Sequence, residues 1–146
     1  MNVLTDHALT LVTFLPIVGA LLLLFVPDAD AAGKNLARWI ALVTSVATFI
    51  VSLWLWSRFD PNTTDFQFVE NYEWIGGSIG YRMGVDGVSI LFVVLTALLL
   101  PACVLSSWGS ITDRVREYMI VFLILETLCI GVFTALDLAM FYVFFE

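Results

Sequence analysis

The amino-acid sequence predicts an all-α membrane protein, a multi-helix transmembrane bundle with a short β-hairpin on its outer face. Hydrophobic residues make up 61% of the 146 residues, charged residues make up 13%, and the mean hydropathy is +0.99. Soluble domains contain roughly 45–50% apolar and about 25% charged residues. The charges also stand in short clusters that separate long uncharged runs. A soluble protein of this size could not bury so much apolar surface.

Four runs with few or no charges are long enough to cross a membrane, which takes about 20 mostly apolar residues. We predict spans at about 8–26, 37–57, 88–108 and 118–136. A fifth apolar run begins at Asp137 and reaches Glu146. A helix that stopped in mid-membrane would leave unpaired carbonyl groups in hydrocarbon. We therefore expect 1–146 to be the N-terminal part of one transmembrane domain that continues beyond Glu146.

Basic residues are concentrated in the first and third predicted loops. These two short loops hold four of the six Lys and Arg residues, namely Lys34, Arg38, Arg114 and Arg116. Under the positive-inside rule, loops rich in Lys and Arg lie on the cytoplasmic side. The pattern predicts that the N-terminus is outside and that the longer second loop lies on the outer surface.

The second loop has the pattern of a β-hairpin. Four aromatic residues keep a period-two phase, interrupted by Glu70, which predicts a strand with one wet face; they are Phe66, Phe68, Tyr72 and Trp74. Gly76 and Gly77 follow and are a strong turn signal. In the turn that leads into the third span, Asp86 or Ser89 is predicted to cap the helix.

Several function classes are excluded by composition. A net charge of −7 is unfavourable for nucleic acid as a partner, because phosphate binding needs a basic face. Cys103 and Cys129 both lie within apolar stretches and are predicted to be packing residues. The sequence shows no phosphate-binding loop, dinucleotide fingerprint, metal-ligand cluster or hydrolytic triad. Catalysis on a small substrate within this chain therefore has no support.

Two glutamates are predicted at depths where a charge is costly. Glu126 lies about 13.5 Å into the fourth span, and Glu146 reaches a similar depth beyond Asp137, at a rise of about 1.5 Å per residue. A charge at the bilayer centre costs at least roughly 2.5–3.5 kcal/mol, and such residues mark ion or proton pathways by default. We predict Glu146 and Glu126 as carboxyl stations of a proton pathway.

The position of Glu126 also fits a second interpretation. A protonated glutamate can bond to a helix carbonyl or hydroxyl group without any role in transport, and Thr127 and Thr134 are candidate partners. Asp137 is placed differently, because a separation of nine residues from Glu146 turns the two side chains about 180° apart on a helix. Asp137 is predicted to be an interfacial acid at the outer turn.

Two motifs resemble those of a known family. The run YRMGVDGVS at 81–89, followed by an apolar span, resembles the opening of the third transmembrane helix in the antiporter-like subunits of respiratory complex I. Asp137 with the run FYVFFE at 141–146 resembles the fifth-helix motif of that family. The likeness is to the chain M form of NADH:quinone oxidoreductase, called NADH dehydrogenase subunit 4 in mitochondria. It covers nearly the whole chain in the order and spacing of spans.

The resemblance implies a proton-translocating membrane subunit that couples quinone reduction elsewhere in the complex to proton pumping. It implies that the motif glutamate of the family falls on Glu146. It further implies that this chain holds no redox site and no cofactor, since NADH, FMN, iron–sulfur clusters and quinone belong to partner subunits of the electron transport chain. The implied partners are the other membrane subunits of complex I and the lipid bilayer, in the bacterial inner (cell) membrane.

Two alternative functions stay open at this point. The first is the homologous subunit of a multisubunit Na⁺/H⁺ antiporter or of a membrane-bound hydrogenase. The phenylalanine-rich run before Glu146 favours the complex I form over this alternative. The second is a membrane scaffold that assembles with partners and transports nothing. Loss of proton pumping on substitution of Glu146 would separate a channel from a scaffold.

Overall fold

The computed structural model of the chain describes residues 3–146. Within these residues the chain forms helices and one antiparallel sheet in the order α1 (Val3–Asp6), α2 (Ala8–Leu24), α3 (Ala31–Arg58), β1 (Gln67–Ile75), β2 (Ile79–Val85), α4 (Ser89–Ser106), α5 (Val115–Thr134) and α6 (Leu138–Phe145). The predicted fold class, a helical membrane bundle with a short hairpin, is confirmed.

Three of the described helices are long and apolar enough to cross a membrane. These are α3, α4 and α5, with 28, 18 and 20 residues. Helix α2 is also apolar and has 17 residues, the lower limit of the usual range of about 17–25. Large apolar side chains remain exposed on the outer faces of the bundle, among them Leu21, Val43 and Leu98. Such faces suit contact with lipid, and the helices fit a multi-pass membrane protein.

Helix α3 begins earlier than the predicted span at 37–57. It starts at Ala31 because the carboxylate of Asp30 caps it, accepting a hydrogen bond of 2.9 Å from the Gly33 N–H. This places Lys34 and Arg38 on the first turns of the helix and not in a loop. The residues 31–36, AAGKNL, are less apolar than the run that follows, so hydropathy does not reveal this start, which the capping aspartate defines.

The bundle packs around two apolar clusters, one at each end. The cluster at the hairpin end includes Leu9, Leu55 and Met83, and the cluster at the other end includes Leu23 and Met119. Helix α5 contacts α2, α3, α4 and α6, and so forms the centre of the described bundle. The two clusters hold the helices at both ends, and the middle of α5 lies between them.

The hairpin forms at the predicted place. Strands β1 and β2 pair antiparallel with Ile75 opposite Ile79, and Gly76 and Gly77 make the turn with φ of 61° and 71°. Positive φ at both positions explains the pair of glycines.

The predicted division of the strand into a wet and a dry face is wrong. The aromatic side chains that should lie on the dry face are exposed at Tyr72 (49%) and Trp74 (76%), whereas Glu70, which interrupts their phase, is 3% exposed. The cause is a bulge between Gln67 and Glu70, where Phe68 has a φ of 54°, together with a buried partner for the Glu70 carboxylate. A bulge changes which face a side chain occupies, and alternation alone does not reveal it.

Three basic side chains donate hydrogen bonds to backbone carbonyl groups at the end of the bundle opposite the hairpin. The Lys34 ammonium donates to the Thr112 carbonyl at 2.8 Å, and the Arg38 guanidinium donates to the Ile111 carbonyl at 2.9 Å. The Arg116 guanidinium donates to the Val26 carbonyl at 3.0 Å. The basic residues of the first and third connections therefore gather at one end, away from the hairpin.

Candidate functional site

Glu126 lies in the interior of the bundle, on the central helix α5. Its side chain is 0% exposed, and neither carboxyl oxygen has a hydrogen-bond partner among residues 3–146. Two further hydroxyl groups share this condition, Thr127 on the same helix and Thr13 on the neighbouring helix α2. Most buried polar groups in proteins are paired, so a buried carboxyl group and two hydroxyls without partners among residues 3–146 are unusual.

The two candidate partners expected for Glu126 do not bond it. The Thr127 hydroxyl has no partner in the described part of the chain. The Thr134 hydroxyl donates to carbonyl groups of its own helix, to Ile130 at 3.0 Å and to Gly131 at 3.3 Å. The expectation that either threonine satisfies Glu126 is wrong, because one hydroxyl is already used locally and the other does not reach it.

Glu146 stands at the end of α6, and its N–H donates to the Tyr142 carbonyl at 2.9 Å. Its side chain borders a groove of about 450 Å³ between α5 and α6. Leu128 and Cys129 of α5 line the same groove. Glu146 is exposed.

Glu126 on α5 and Glu146 at the end of α6 lie equally far along the chain from the turn that joins the two helices, but their surroundings differ. Glu126 precedes the end of α5 at Thr134 by eight residues, and Glu146 follows the start of α6 at Leu138 by eight residues. Each is thus about 12 Å from the turn that joins the two helices. Glu126 faces the bundle interior, whereas Glu146 borders the groove. Among the residues described, no hydrogen bond connects the two side chains.

The start of α6, and therefore the depth of Glu146, is set by contacts with strand β2. The Leu136 N–H donates to the Arg82 carbonyl at 2.9 Å, and the Gly80 N–H lies 3.4 Å from the Asp137 carboxylate. Asp137 caps α6 by accepting a hydrogen bond of 2.9 Å from the Ala139 N–H, which holds the pKa of this carboxyl below its usual value. The hairpin thus fixes the helix that carries Glu146.

The start of α4 is capped from within its own turn. Asp86 accepts from the Ser89 N–H at 2.7 Å, and the Ser89 hydroxyl accepts from the Asp86 N–H at 2.9 Å. The hydrogen bond from the Ser89 N–H is the main reason that the pKa of Asp86 lies below its usual value. The prediction that Asp86 or Ser89 caps this helix is confirmed, and both residues take part.

A polar cluster at the hairpin end was not predicted from the sequence. The buried Glu70 carboxylate accepts from the backbone N–H groups of Leu9 at 2.9 Å and Thr10 at 3.0 Å, and from the Thr10 hydroxyl. The Tyr81 hydroxyl lies 2.6 Å from the Thr10 hydroxyl oxygen. Since Thr10 gives its single proton to Glu70, Tyr81 is the donor to Thr10. Burial raises the pKa of Tyr81, which keeps this donor protonated.

This cluster joins the hairpin to the beginning of α2. Helix α2 has no side-chain cap of its own at His7, so Glu70, about 60 residues along the chain, serves the free N–H groups of its first turn. The sequence signal was an acidic residue placed in phase with aromatic residues on a strand. That signal shows that Glu70 is unusual, but it does not show which helix has its N–H groups bonded to the Glu70 carboxylate.

Among residues 3–146, no group of three or more His, Cys, Asp or Glu side chains is placed to hold a metal ion. The chemistry that the described residues offer is that of isolated carboxyl groups in an apolar setting. Such groups gain or lose a proton only together with a change in the charges or waters around them.

Comparison with known proteins identifies relatives over nearly the whole chain. The sequence is 51% identical over 143 residues, 97% of this chain, to NADH-quinone oxidoreductase subunit M of Rhodobacter capsulatus. It is 46% identical over 132 residues to NADH-ubiquinone oxidoreductase chain 4 of Arabidopsis thaliana, which is 90% of this chain. The chain is homologous to these proteins. No family model matches it.

Homology to subunit M and chain 4 confirms the resemblance found in the two sequence motifs. Chain 4 of Chondrus crispus extends the match to 100% of this chain at 41% identity. The shared region covers 27%, 26% and 29% of these three relatives. The chain therefore spans about a quarter of the length of the curated relatives that it matches.

Proposed function

We propose that this chain is part of a proton-translocating membrane subunit of NADH:quinone oxidoreductase. The observation that carries the proposal is the match to subunit M and chain 4 proteins over 90–100% of this chain. In this proposal the subunit acts within an enzyme complex, as a translocase of the electron transport chain with no redox site in this chain. The names of these relatives favour the complex I form over a Na⁺/H⁺ antiporter or hydrogenase subunit.

Glu146 is the principal proton-carrying residue in this proposal. Its position about 12 Å from the outer turn, beside an open groove, suits a carboxyl group that exchanges a proton with a neighbouring charge. Glu126 is the second station. Its burial without a partner favours transport over the structural interpretation, because the expected threonine partners do not bond it.

The energy for transport must come from other subunits. Moving one proton against 100 mV costs about 2.3 kcal/mol, and nothing in the described residues of this chain releases energy. Quinone reduction by NADH, through FMN and iron–sulfur clusters held in partner subunits, supplies it in this proposal. The partners are therefore the other membrane subunits of complex I, within the lipid bilayer.

We further propose that the chain lies in the bacterial inner membrane with its N-terminus and hairpin outside. The side chains of Lys34, Arg38 and Arg116 meet at the end of the bundle opposite the hairpin. Gathering of basic groups at one end supports a cytoplasmic location for that end.

The test is substitution of Glu146 in the full-length protein within the assembled complex. Glu146→Gln keeps the size of the side chain and removes its titratable proton, and we expect it to abolish quinone-coupled proton pumping. Glu73→Gln is the matched control, since Glu73 is exposed on strand β1. The complex that carries this variant should pump protons as the wild type does. Assembly is checked in each variant by native electrophoresis and by NADH oxidation with an artificial acceptor.

Three outcomes would contradict the proposal in whole or in part. Normal pumping by an assembled Glu146→Gln complex would reject the channel and leave a membrane scaffold. Normal pumping by Glu126→Gln alone would return Glu126 to a structural role and leave Glu146 unaffected. Dependence of transport on sodium ions, in place of protons, would favour the antiporter alternative.

A further inference from the structure

Strand β2 holds the start of α6 through its backbone. The Leu136 N–H, just before α6, donates to the Arg82 carbonyl at 2.9 Å. The Gly80 N–H lies 3.4 Å from the carboxylate of Asp137, the residue that caps α6. Gly80 and Arg82 are the two neighbours of Tyr81 in the strand. A displacement of β2 at Tyr81 would therefore move the first turn of α6.

The side chain of Tyr81 contacts the start of a different helix, α2. Its hydroxyl group donates to the Thr10 hydroxyl oxygen, 2.6 Å away. Thr10 gives its own proton to the buried Glu70 carboxylate, which also accepts from the N–H groups of Leu9 and Thr10. Tyr81 thus bonds to the capped first turn of α2, while the backbone on either side of Tyr81 contacts the residues that begin α6.

The placement of α6 matters because this helix carries Glu146 at its end. Helix α6 packs against α5 and β2. A group that takes part in transfer is held to within about 0.5 Å of its working position by residues that are themselves fixed. Tyr81 is fixed in this way, because its hydroxyl group is bonded and the backbone beside it is bonded.

We propose that Tyr81 is a positioning residue, which fixes the start of α6 relative to α2 and thereby the depth of Glu146. Its effect on transport rests on the proposed function, in which Glu146 carries the proton. The mechanical link between Tyr81 and α6 does not depend on transport, because it consists of hydrogen bonds that can be measured in the resting protein.

Tyr81→Phe breaks this link without removing the cap of α2. The ring stays, only the hydroxyl group is lost, and Thr10 still donates to Glu70. Amide hydrogen exchange of the full-length protein in the assembled complex should become about fivefold faster at Leu136, the loss expected for one hydrogen bond. Exchange at Leu9 should keep its wild-type rate, since the Glu70 carboxylate still accepts from that N–H. A general loosening of the hairpin would accelerate both amides.

Tyr72 offers a matched control on the same hairpin. It lies directly opposite Tyr81 in the sheet register. Its hydroxyl group is 3.1 Å from His7 Nδ1, outside the contact with Thr10. Tyr72→Phe removes the same group from the same pair of strands, so exchange at Leu136 should stay at the wild-type rate. Equal acceleration in both variants would show that Tyr81 has no particular role.

Variants of Thr10 test the same bond from the side of α2. Thr10→Val removes the oxygen that accepts from Tyr81, whereas Thr10→Ser keeps it. Exchange at Leu136 should be faster in Thr10→Val and normal in Thr10→Ser. Adding Tyr81→Phe to Thr10→Val should give no further acceleration at Leu136, because both changes remove one and the same bond. The Thr10 pair decides the link if Tyr81→Phe does not assemble.

The consequence for transport is measured as protons pumped per NADH oxidised by the assembled complex in proteoliposomes. This ratio should fall in Tyr81→Phe and stay normal in Tyr72→Phe, with an unchanged KM for quinone in both. Loss of assembled complex lowers both rates together and leaves the ratio as it was, so a fall in the ratio reports positioning and not stability.

The outcomes separate the link from the proposed function. Unchanged exchange at Leu136 in Tyr81→Phe would overturn the link. Faster exchange with a normal proton ratio, in a complex whose pumping Glu146→Gln abolishes, would overturn the positioning role. Normal pumping by Glu146→Gln would overturn the proposed function instead, and exchange at Leu136 would then decide the link alone.

Discussion

Replacing Glu70 by alanine should loosen the hairpin-side end of helix α2. The Glu70 carboxylate is 3% exposed and accepts hydrogen bonds from the N–H groups of Leu9 and Thr10 and from the Thr10 hydroxyl. Because His7 provides no side-chain cap, the substitution leaves these N–H groups without an acceptor from a side chain. The first turn of α2 should therefore open more often.

The expected magnitude follows from these contacts. A hydrogen bond to a charged group contributes about 1.5–3 kcal/mol, and loss of a helix cap costs about 0.5–2 kcal/mol. The contributions overlap, because one carboxylate serves adjacent N–H groups of a single helix end. We therefore expect Glu70→Ala to lower the local free energy of opening by about 2–3 kcal/mol, and Glu70→Gln by about 1 kcal/mol, since an amide oxygen still accepts.

Amide hydrogen exchange of the full-length protein in detergent or nanodiscs measures this directly. A loss of about 2 kcal/mol corresponds to exchange about 30-fold faster at Leu9 and Thr10. The control is Glu73→Ala, because Glu73 lies on the same strand and is exposed. Unchanged exchange at both amides in Glu70→Ala, or equal acceleration in Glu73→Ala, would refute the reasoning that Glu70 caps α2.

Two further predictions concern helix starts. Asp86→Ala should lower the stability by about 1 kcal/mol at neutral pH. Because the pKa of Asp86 is lower in the folded state, its contribution is present above the unfolded value of about 3.9 and is lost as the pH falls through the folded one. The difference in Tm between wild type and Asp86→Ala should therefore shrink below about pH 4. A difference in Tm that grows as the pH falls would contradict the role of the Asp86 carboxylate as a cap. Gly33→Ala would bring a Cβ within 1.9 Å of the Pro27 carbonyl oxygen, so we expect a loss of about 1–3 kcal/mol in thermal unfolding, with Gly109→Ala near neutral as the control.

The sequence predicted the helices and the hairpin because their signals are local. Uncharged runs define spans by length alone, and Gly76 and Gly77 define the turn through their positive φ. The start of α3 at Ala31 was missed by six positions, because hydropathy marks where a helix enters the membrane and not where it begins. The cap at Asp30 was the missing information.

The candidate site was only partly predictable. The depth of Glu126 and Glu146 follows from helical rise, but the faces on which they lie depend on how α5 packs against α2 and α6. The role of Glu70 joins residues about 60 positions apart. Such a contact cannot be predicted from the alternation of residues along a single strand, because alternation does not reveal the bulge at Phe68, which changes the face that Glu70 occupies.

The central claim is that Glu146 carries a proton during turnover, and infrared difference spectroscopy of the assembled complex tests it most directly. Spectra of the full-length protein are recorded between the resting and the NADH-reduced state, for wild type, Glu146→Gln and Glu73→Gln. We predict a carboxyl C=O difference band that is present in wild type and in Glu73→Gln and absent in Glu146→Gln. A band that persists unchanged in Glu146→Gln would contradict the account.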